Sequence, residues 1–307
     1  MTMKVEWLRG CATALVTPFA KGGEIDEDRL VALVERQLAG GVRIMVPCGT
    51  TGESATLTEE EDQRVIELVI QAARGRARVL AGTGSNSTSA AIEYSRAARA
   101  LGTDAVLVVA PYYNKPTQEG LYTHFRAIST AVVDVPVVLY NVPGRTASNI
   151  SVATVLRLAR EFENIVGIKE ASGDLSQIMA ILRQRPEGFK VLSGDDALTL
   201  AIVALGGEGV ISVVSNEVPD LMSQMVDLAL AGSWEEAREI HYRLLPLMEA
   251  NFVESNPGPV KAALAMMGWI EDHYRLPLVP LQADNRAKLR DVLLKLGLLK
   301  ETSHVVA

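Results

Sequence analysis

The sequence predicts an α/β protein, a (β/α)8 TIM barrel with additional C-terminal helices, on three observations. Eight short runs rich in Val, Ile, Leu and Ala recur along residues 1–232, and longer charged segments with helical periodicity separate them. The runs are almost continuously apolar, which is typical of parallel strands covered on both faces. Eight such units in about 230 residues favour a closed barrel, because parallel neighbours require right-handed crossovers.

The strands follow from these apolar runs. The eight predicted strands are Cys11–Val16, Arg43–Pro47, Arg78–Gly82, Ala105–Ala110, Pro136–Asn141, Ile165–Lys169, Lys190–Ser193 and Gly209–Ser212. A doubly wound open sheet is the competing architecture, and it usually carries a G-x-G-x-x-G turn after its first strand. The first strand here is followed by Val16-Thr17-Pro18-Phe19, which favours the barrel.

The helices are predicted from caps and apolar faces. Within Asp26–Ala39, the positions on one helical face are Leu30, Leu33, Val34 and Leu38. Thr58 and Glu61 have the spacing of a capping box for the next helix. Asp174 can cap a helix that buries three residues, Leu175, Ile178 and Leu182.

Residues 233–307 predict about three further helices, interrupted at Asn256-Pro257-Gly258-Pro259. No low-complexity linker precedes this segment. We therefore expect it to pack, as a helical extension, on the barrel formed by residues 1–232.

Composition excludes several classes of function. The chain has 307 residues with 30 Lys and Arg against 37 Asp and Glu, and this acidic balance argues against binding to nucleic acids or membrane surfaces. Two cysteines form neither a disulfide framework nor a Cys-based zinc site, and the four histidines lack a helical zinc-ligand spacing. We therefore expect no metal site. No apolar run approaches the roughly 18 residues of a membrane span, so we expect a cytoplasmic protein.

Polar residues concentrate where the predicted strands end, which is where barrel enzymes carry their chemistry. Lys169 is expected to share the barrel interior with Gly167 and Ile165 by strand alternation. Removal from water favours a neutral amine there, which is a nucleophile for carbonyl groups. A structural lysine paired with Glu170 or another acid is the alternative, and position alone leaves both open.

Four other strand ends carry candidate groups. The turn Gly49–Gly52 is either an ordinary loop or a set of backbone donors for a carboxylate. Tyr113 and Tyr140 are either half-buried aromatics or parts of a proton relay, and Arg145 either binds a carboxylate or forms a surface ion pair. Asp195-Asp196 is expected to cap the helix that follows the seventh strand.

Taken together, these segments resemble the dihydrodipicolinate synthase family of pyruvate-dependent Schiff-base aldolases, whose superfamily includes N-acetylneuraminate lyase. The resemblance runs from about Gly10 to Leu296. Its motifs, in chain order, are GTTGES (49–54), PYYNKP (111–116), YNVPGRT (140–146), GIKEASGD (167–174), LSGDD (192–196), GVISV (209–213) and FVESNPGPVKAAL (252–264).

The resemblance implies a role for each matching residue. Lys169 matches the lysine that forms an imine with pyruvate, and Tyr140 matches the residue that shuttles protons. Thr51 matches the threonine that links Tyr140 to a second tyrosine, Tyr113, which in the family reaches the neighbouring subunit's site. Thr50 and Thr51 match the groups that bind the pyruvate carboxylate.

The remaining matches lie around the mouth of the expected site. Arg145 matches the arginine that holds the carboxylate of aspartate semialdehyde, and the carbonyl groups of Gly194 and Ile211 match the pocket lining. The family's covalent imine needs no metal or organic cofactor. The resemblance also implies a homotetramer, assembled as a dimer of dimers.

The implied reaction condenses pyruvate with (S)-aspartate 4-semialdehyde to 4-hydroxy-tetrahydrodipicolinate, in lysine and diaminopimelate biosynthesis. The alternative is a class I aldolase or dehydratase of another 2-oxo acid, in the sugar-acid or sialic-acid branch; Arg145 favours the synthase. A non-catalytic barrel that binds 2-oxo acids would be expected to lack Lys169 or Tyr140. A phosphate-handling isomerase would carry its glycine-rich cup after strands seven and eight, whereas Gly206-Gly207-Glu208-Gly209 precedes strand eight.

One departure from the family concerns regulation. The positions that match the family's lysine-effector pocket are Ser54, Ala55, Asn86 and Tyr112. Ala90 stands where lysine-sensitive members carry a glutamate, and Glu59 and Asp62 replace histidines found in some members. A lost carboxylate removes a charge-assisted partner for the ligand's amine. We therefore predict weak or absent inhibition by lysine, at what is at most a vestigial effector site.

Overall fold

Eight parallel strands pair in chain order, and β8 bonds back to β1, in a computed structural model that describes residues 3–300. The strands are β1 (Gly10–Ala14), β2 (Ile44–Val46), β3 (Arg78–Gly82), β4 (Ala105–Val109), β5 (Val137–Asn141), β6 (Ile165–Glu170), β7 (Lys190–Ser193) and β8 (Gly209–Ser212). The predicted (β/α)8 barrel is confirmed, and the observed strand ends differ from the predicted ones by at most two residues.

Helices connect successive strands and continue beyond the barrel. They are α1 (Glu27–Ala39), α2 (Glu59–Ala73), α3 (Thr88–Leu101), α4 (Gln118–Ala131), α5 (Pro143–Thr146), α6 (Val152–Glu161), α7 (Leu175–Gln184), α8 (Thr199–Ala204), α9 (Pro219–Ala231), α10 (Trp234–Ala250), α11 (Gly258–Met266) and α12 (Ala283–Lys295). The last three are the additional C-terminal helices predicted from the sequence. Residues 1–2 of the predicted barrel segment and 301–307 of the predicted extension lie outside the described residues.

The helix caps predicted at Thr58 and Asp174 are present. Thr58 and Glu61 form a reciprocal capping box at the start of α2. Asp26 accepts a hydrogen bond from the backbone of Arg29 at the start of α1, and Asp174 caps α7. These carboxylates and hydroxyls satisfy backbone N–H groups that have no partner within the helix.

Helix α7 departs from the predicted packing in one respect. Its fully buried residues are Ile178 and Ile181, whereas Leu175 and Leu182 are only half-buried against the core. At 100° per residue, these two leucines lie on the flank of the face that Ile178 and Ile181 define. The predicted burial of Leu175 and Leu182 is therefore partial, because both leucines pack against the core but keep some exposed surface.

Two apolar layers hold the barrel together. The outer layer lies between the strands and the surrounding helices. The inner layer fills the barrel with the side chains of every second strand residue, which point toward the barrel axis. Inner-layer residues from the strands include Ala12, Ile44, Leu80, Leu107, Val138, Tyr140, Val166, Leu192 and Ile211. This inner layer is a closely packed apolar interior beneath the carboxyl ends of the strands.

A β-bulge in β6 changes which side chains face the interior. The pairing between β5 and β6 shifts register so that Val166 is an extra residue, and Val166 belongs to the inner layer. Ile165 consequently packs in the outer layer. The prediction that Ile165 shares the interior face with Lys169 is wrong, because the bulge interrupts simple alternation.

Among residues 3–300, no helix is both long enough and apolar enough to cross a membrane.

Candidate active site

Lys169 and Tyr140 meet at the carboxyl ends of two adjacent strands. They are register partners on β6 and β5, and both are almost fully buried, with 6 % and 7 % of their surfaces exposed. Lys169 Nζ lies 4.3 Å from the centroid of the Tyr140 ring. The structure thus places an amine and a phenol ring side by side at the mouth of the barrel.

Glu170 follows Lys169 directly but has other partners. Its fully buried carboxylate accepts hydrogen bonds from Asn141 Nδ2 at 3.0 Å, from the N–H of Ser172 at 3.0 Å and from Gln177 Nε2 at 3.2 Å. Burial raises the pKa of Glu170, and these hydrogen bonds act in the opposite direction. The carboxylate oxygens are occupied away from Lys169, so the geometry does not support the structural pairing considered as an alternative.

Gly194 leaves the space that the Lys169 side chain occupies. A Cβ atom at position 194 would lie 2.9 Å from Lys169 Cε and 2.7 Å from the Cβ of Ala171. Both distances are shorter than real Cβ contacts, so any other residue here would displace the lysine. Gly194 therefore lies beside Lys169, and the expected role of its carbonyl group in lining the pocket stays a prediction.

The turn after β2 offers backbone donors. The N–H groups of Gly52 and Ser54 donate to the carbonyl of Gly49, and that of Glu53 donates to Thr50. Within the described chain, the N–H groups of Thr50 and Thr51 have no such acceptor. Free N–H groups in a tight turn can bind a carboxylate.

Asn256 connects this turn with the arginine at the mouth. Asn256 Nδ2 donates to Thr51 Oγ1 at 3.0 Å, and Arg145 Nη2 donates to the Asn256 carbonyl at 3.2 Å. Arg145 is exposed on the short helix α5 and forms no ion pair with the described residues. In the sequence, Asn256 belongs to a predicted helix break and to the family motif FVESNPGPVKAAL, and that motif was the available signal for a site residue here.

Tyr113 lies away from the other predicted residues. Its side chain is 87 % exposed and its φ is 75°, a left-handed conformation that is uncommon for a tyrosine. The Tyr113 N–H donates to the carbonyl of Thr146 at 3.2 Å, which fixes the loop. The structure of one chain therefore does not bring Tyr113 together with Thr51 and Tyr140.

Ile211 is fully buried in the inner layer, opposite Ala12 on β1.

The two aspartates after β7 have other partners than the predicted helix cap. Asp195 Oδ1 accepts from the N–H of Ala197, and Asp196 Oδ2 accepts from the N–H groups of Val213 and Val214. Asp196 therefore connects the loop after β7 to the end of β8. No side chain caps α8, so the prediction that these aspartates cap that helix is wrong.

A cavity of about 390 Å³ opens beside the barrel mouth. Its lining includes the expected catalytic residue Tyr140 and the expected substrate-binding residues Thr50 and Arg145. It also includes three of the residues that match the lysine-effector pocket, Ser54, Ala55 and Tyr112. Lys169 does not itself line this cavity; its Nζ lies over the ring of Tyr140, which does.

A half-buried acid also lines the cavity. Asp62 lines it, and burial raises the pKa of Asp62 to about 7, against an opposing hydrogen bond from Cys48. Asn86 and Ala90 do not line the cavity, and the Asn86 carbonyl accepts from Asn114 Nδ2 at 2.9 Å. The described part of the chain holds no group of three or more His, Cys, Asp or Glu side chains arranged for a metal ion.

A buried lysine and a tyrosine lie together at the carboxyl ends of the strands, which is where enzymes of the (β/α)8 class carry their chemistry. Residues 7–296 match the model of the dihydrodipicolinate synthetase family. The chain belongs to this family.

Individual relatives agree over nearly the whole chain. The chain is 55 % identical to the 4-hydroxy-tetrahydrodipicolinate synthase of Koribacter versatilis, over 96 % of this chain and 98 % of the relative. It is 52 % identical to that of Chloroherpeton thalassium, with the same coverage of both. The crystal structure of the Acinetobacter baumannii dihydrodipicolinate synthase complexed with pyruvate superposes with a TM-score of 0.93 at 45 % identity, over 95 % of this chain and all of that one.

Proposed function

We propose that this chain condenses pyruvate with (S)-aspartate 4-semialdehyde to form 4-hydroxy-tetrahydrodipicolinate, as a Schiff-base-forming lyase of lysine and diaminopimelate biosynthesis. The observation that carries the proposal is the position of Lys169 Nζ, 4.3 Å from the Tyr140 ring centroid. Membership of the family and the curated relatives of the same activity support it.

The first step forms a covalent imine. The Lys169 amine attacks the C2 carbonyl of pyruvate, and the oxygen leaves as water after two proton transfers. Tyr140, whose ring lies beside the amine, carries the hydroxyl that would supply and take up these protons. The protonated imine is the electron sink for the next step, so the chemistry itself requires neither a metal nor an organic cofactor.

The second step forms the carbon–carbon bond. Loss of a methyl proton gives an enamine, whose carbon attacks the aldehyde of the semialdehyde. The free N–H groups of Thr50 and Thr51 would hold the pyruvate carboxylate, and the Arg145 guanidinium would hold the second carboxylate. The product's own amine then displaces Lys169, closing the ring and freeing the enzyme.

The proposal extends to assembly and location. We infer a cytoplasmic homotetramer, a dimer of dimers in which the exposed Tyr113 completes the relay through Thr51 in a second copy. Residues 233–307 act in it as a helical extension of the barrel, and within the described part this segment supplies Asn256 to the site.

Borohydride reduction in the presence of pyruvate, followed by peptide mass mapping, tests the proposal. We expect one stable adduct, on Lys169, and none in K169A. K190A is the matched control, because Lys190 is a half-buried barrel lysine away from the site, and it should retain the adduct. An assay with aspartate semialdehyde, N-acetylmannosamine or glyceraldehyde as acceptor then selects the substrate. Absence of the Lys169 adduct, or turnover with only a sugar acceptor, would contradict the proposal.

A further inference from the structure

Lys261 and Glu53 form an ion pair in the interior of the protein. Their side chains are 0 % and 1 % exposed, and Lys261 Nζ also lies 4.3 Å from the centroid of the Phe19 ring. Burial lowers the pKa of Lys261, and the carboxylate of Glu53 opposes that effect. A buried charge is costly without its partner, so each side chain depends on the other.

Glu53 belongs to the turn that carries the free N–H groups of Thr50 and Thr51. It lies two residues after Thr51, and its φ of 57° is left-handed, a conformation that non-glycine residues adopt rarely. Such backbone persists only where surrounding contacts enforce it. The Glu53 N–H donates to Thr50, and the Glu53 carbonyl accepts from both the N–H and the hydroxyl of Thr56.

The segment that carries Lys261 holds this turn at a second point. Asn256 lies five residues before Lys261 and donates to Thr51 Oγ1 at 3.0 Å. The segment at the start of α11 is therefore attached to both Thr51 and Glu53, although more than 200 residues separate it from them along the chain.

We propose that Lys261 and Glu53 are positioning residues, which keep the Thr50–Thr51 turn in the conformation that binds the carboxylate of the 2-oxo acid. Neither side chain touches the substrate; the ion pair acts through the backbone of the turn. This inference rests on the proposed function, because it assigns the turn to the pyruvate carboxylate.

The decisive variant is E53Q/K261M, which removes both charges while keeping the side-chain shapes, so that no unpaired charge remains buried. We expect its KM for pyruvate to rise about 10- to 100-fold, because a small displacement of a binding turn has a large effect. The kcat at saturating pyruvate should fall much less, and the KM for aspartate semialdehyde should change little. E53Q alone keeps a hydrogen-bond acceptor for Lys261 but leaves its buried charge without a carboxylate, so it should also raise the KM for pyruvate. It provides a second measurement if the double variant does not fold.

R185M/E208Q is the matched control. Arg185 and Glu208 form a largely buried ion pair, but they precede β7 and β8 and so lie at the opposite end of the barrel. This variant is expected to lower the melting temperature and leave the KM for pyruvate unchanged. If folded E53Q/K261M, or E53Q in its place, keeps the KM of the unmodified protein, the positioning role is overturned. If the unmodified protein itself traps no pyruvate on Lys169, the proposed function fails first, which separates the two failures.

Discussion

Lys169 Nζ lies 4.3 Å from the centroid of the Tyr140 ring, and the two residues are register partners on neighbouring strands. Strand pairing fixes this relationship, because both side chains project into the barrel from adjacent positions at the same height. The phenol is thus held beside the amine before any substrate arrives.

Y140F tests the proton-transfer role of this phenol. The substitution keeps the aromatic face beside Lys169 and removes only the hydroxyl, so we expect kcat to fall about 10²- to 10⁴-fold. Borohydride trapping should still label Lys169, but more slowly. Y122F is the control, because the Tyr122 hydroxyl donates to Glu161 on the helical layer, and its activity should be normal. A Y140F enzyme with unchanged kcat would contradict the relay.

G194A tests the space reserved for Lys169. The added Cβ would lie 2.9 Å from Lys169 Cε, so we expect the amine to be displaced and the trapped adduct to fall at least about ten-fold. Circular dichroism should show the same fold. In G144A, the new Cβ meets nothing within 4 Å, and adduct formation should persist. Equal trapping in both variants would show that the Gly194 contact is unimportant.

R145A tests the second carboxylate site. A charge-assisted hydrogen bond contributes about 1.5–3 kcal/mol, so we expect the KM for aspartate semialdehyde to rise about 10- to 100-fold. Pyruvate trapping on Lys169 should remain, because Arg145 touches the turn only through the Asn256 carbonyl. R145K keeps the charge but loses the fork and should be intermediate. The idea would be wrong if R145A weakened pyruvate trapping and left the semialdehyde KM unchanged.

Inhibition by lysine should be weak or absent in the unmodified enzyme, because Ala90 provides no carboxylate for the ligand's amine. Initial-rate assays at increasing lysine measure this, and a sub-millimolar inhibition constant would disprove it. A90E restores a carboxylate and is expected to strengthen inhibition about ten-fold or more. A90Q has a similar size without the charge and should not.

Asp62 makes stability depend on pH. Burial raises its pKa from 3.8 to about 7, so between these values the unfolded chain releases a proton that the folded chain retains. Folded stability therefore falls as pH rises through this window and levels off above it. D62N removes this pH dependence. Its free energy of unfolding should exceed that of the parent by near zero at about pH 4 and by about 1–3 kcal/mol at about pH 8, a range reduced for the screening of a partly exposed group.

Thermal unfolding across this pH range measures the difference between D62N and the parent. E60Q is the control, since Glu60 is exposed on the same helix and its pKa is lowered by hydrogen bonds at the helix start. Its stability should show no gain that grows with pH. A D62N gain that is equal at all pH values would contradict a raised pKa at Asp62.

The sequence by itself determined the barrel, its strand order and the place of its chemistry. Alternating apolar runs and amphipathic helices are local patterns, and the caps at Thr58 and Asp174 depend only on near neighbours. Lys169 was identifiable because a lysine at the end of a buried strand is chemically conspicuous, and the family motifs added its expected partners.

Only the tertiary structure shows which distant residues contact the turn after β2 and so support the candidate site. Asn256 reaches Thr51 across 205 residues and Lys261 reaches Glu53 across 208, and no local pattern encodes such contacts. The bulge at Val166 likewise arises from pairing between two strands and sends Ile165 outward. Local periodicity fixes what a segment becomes, whereas long-range packing of closed strands and helices fixes what each polar group finally touches.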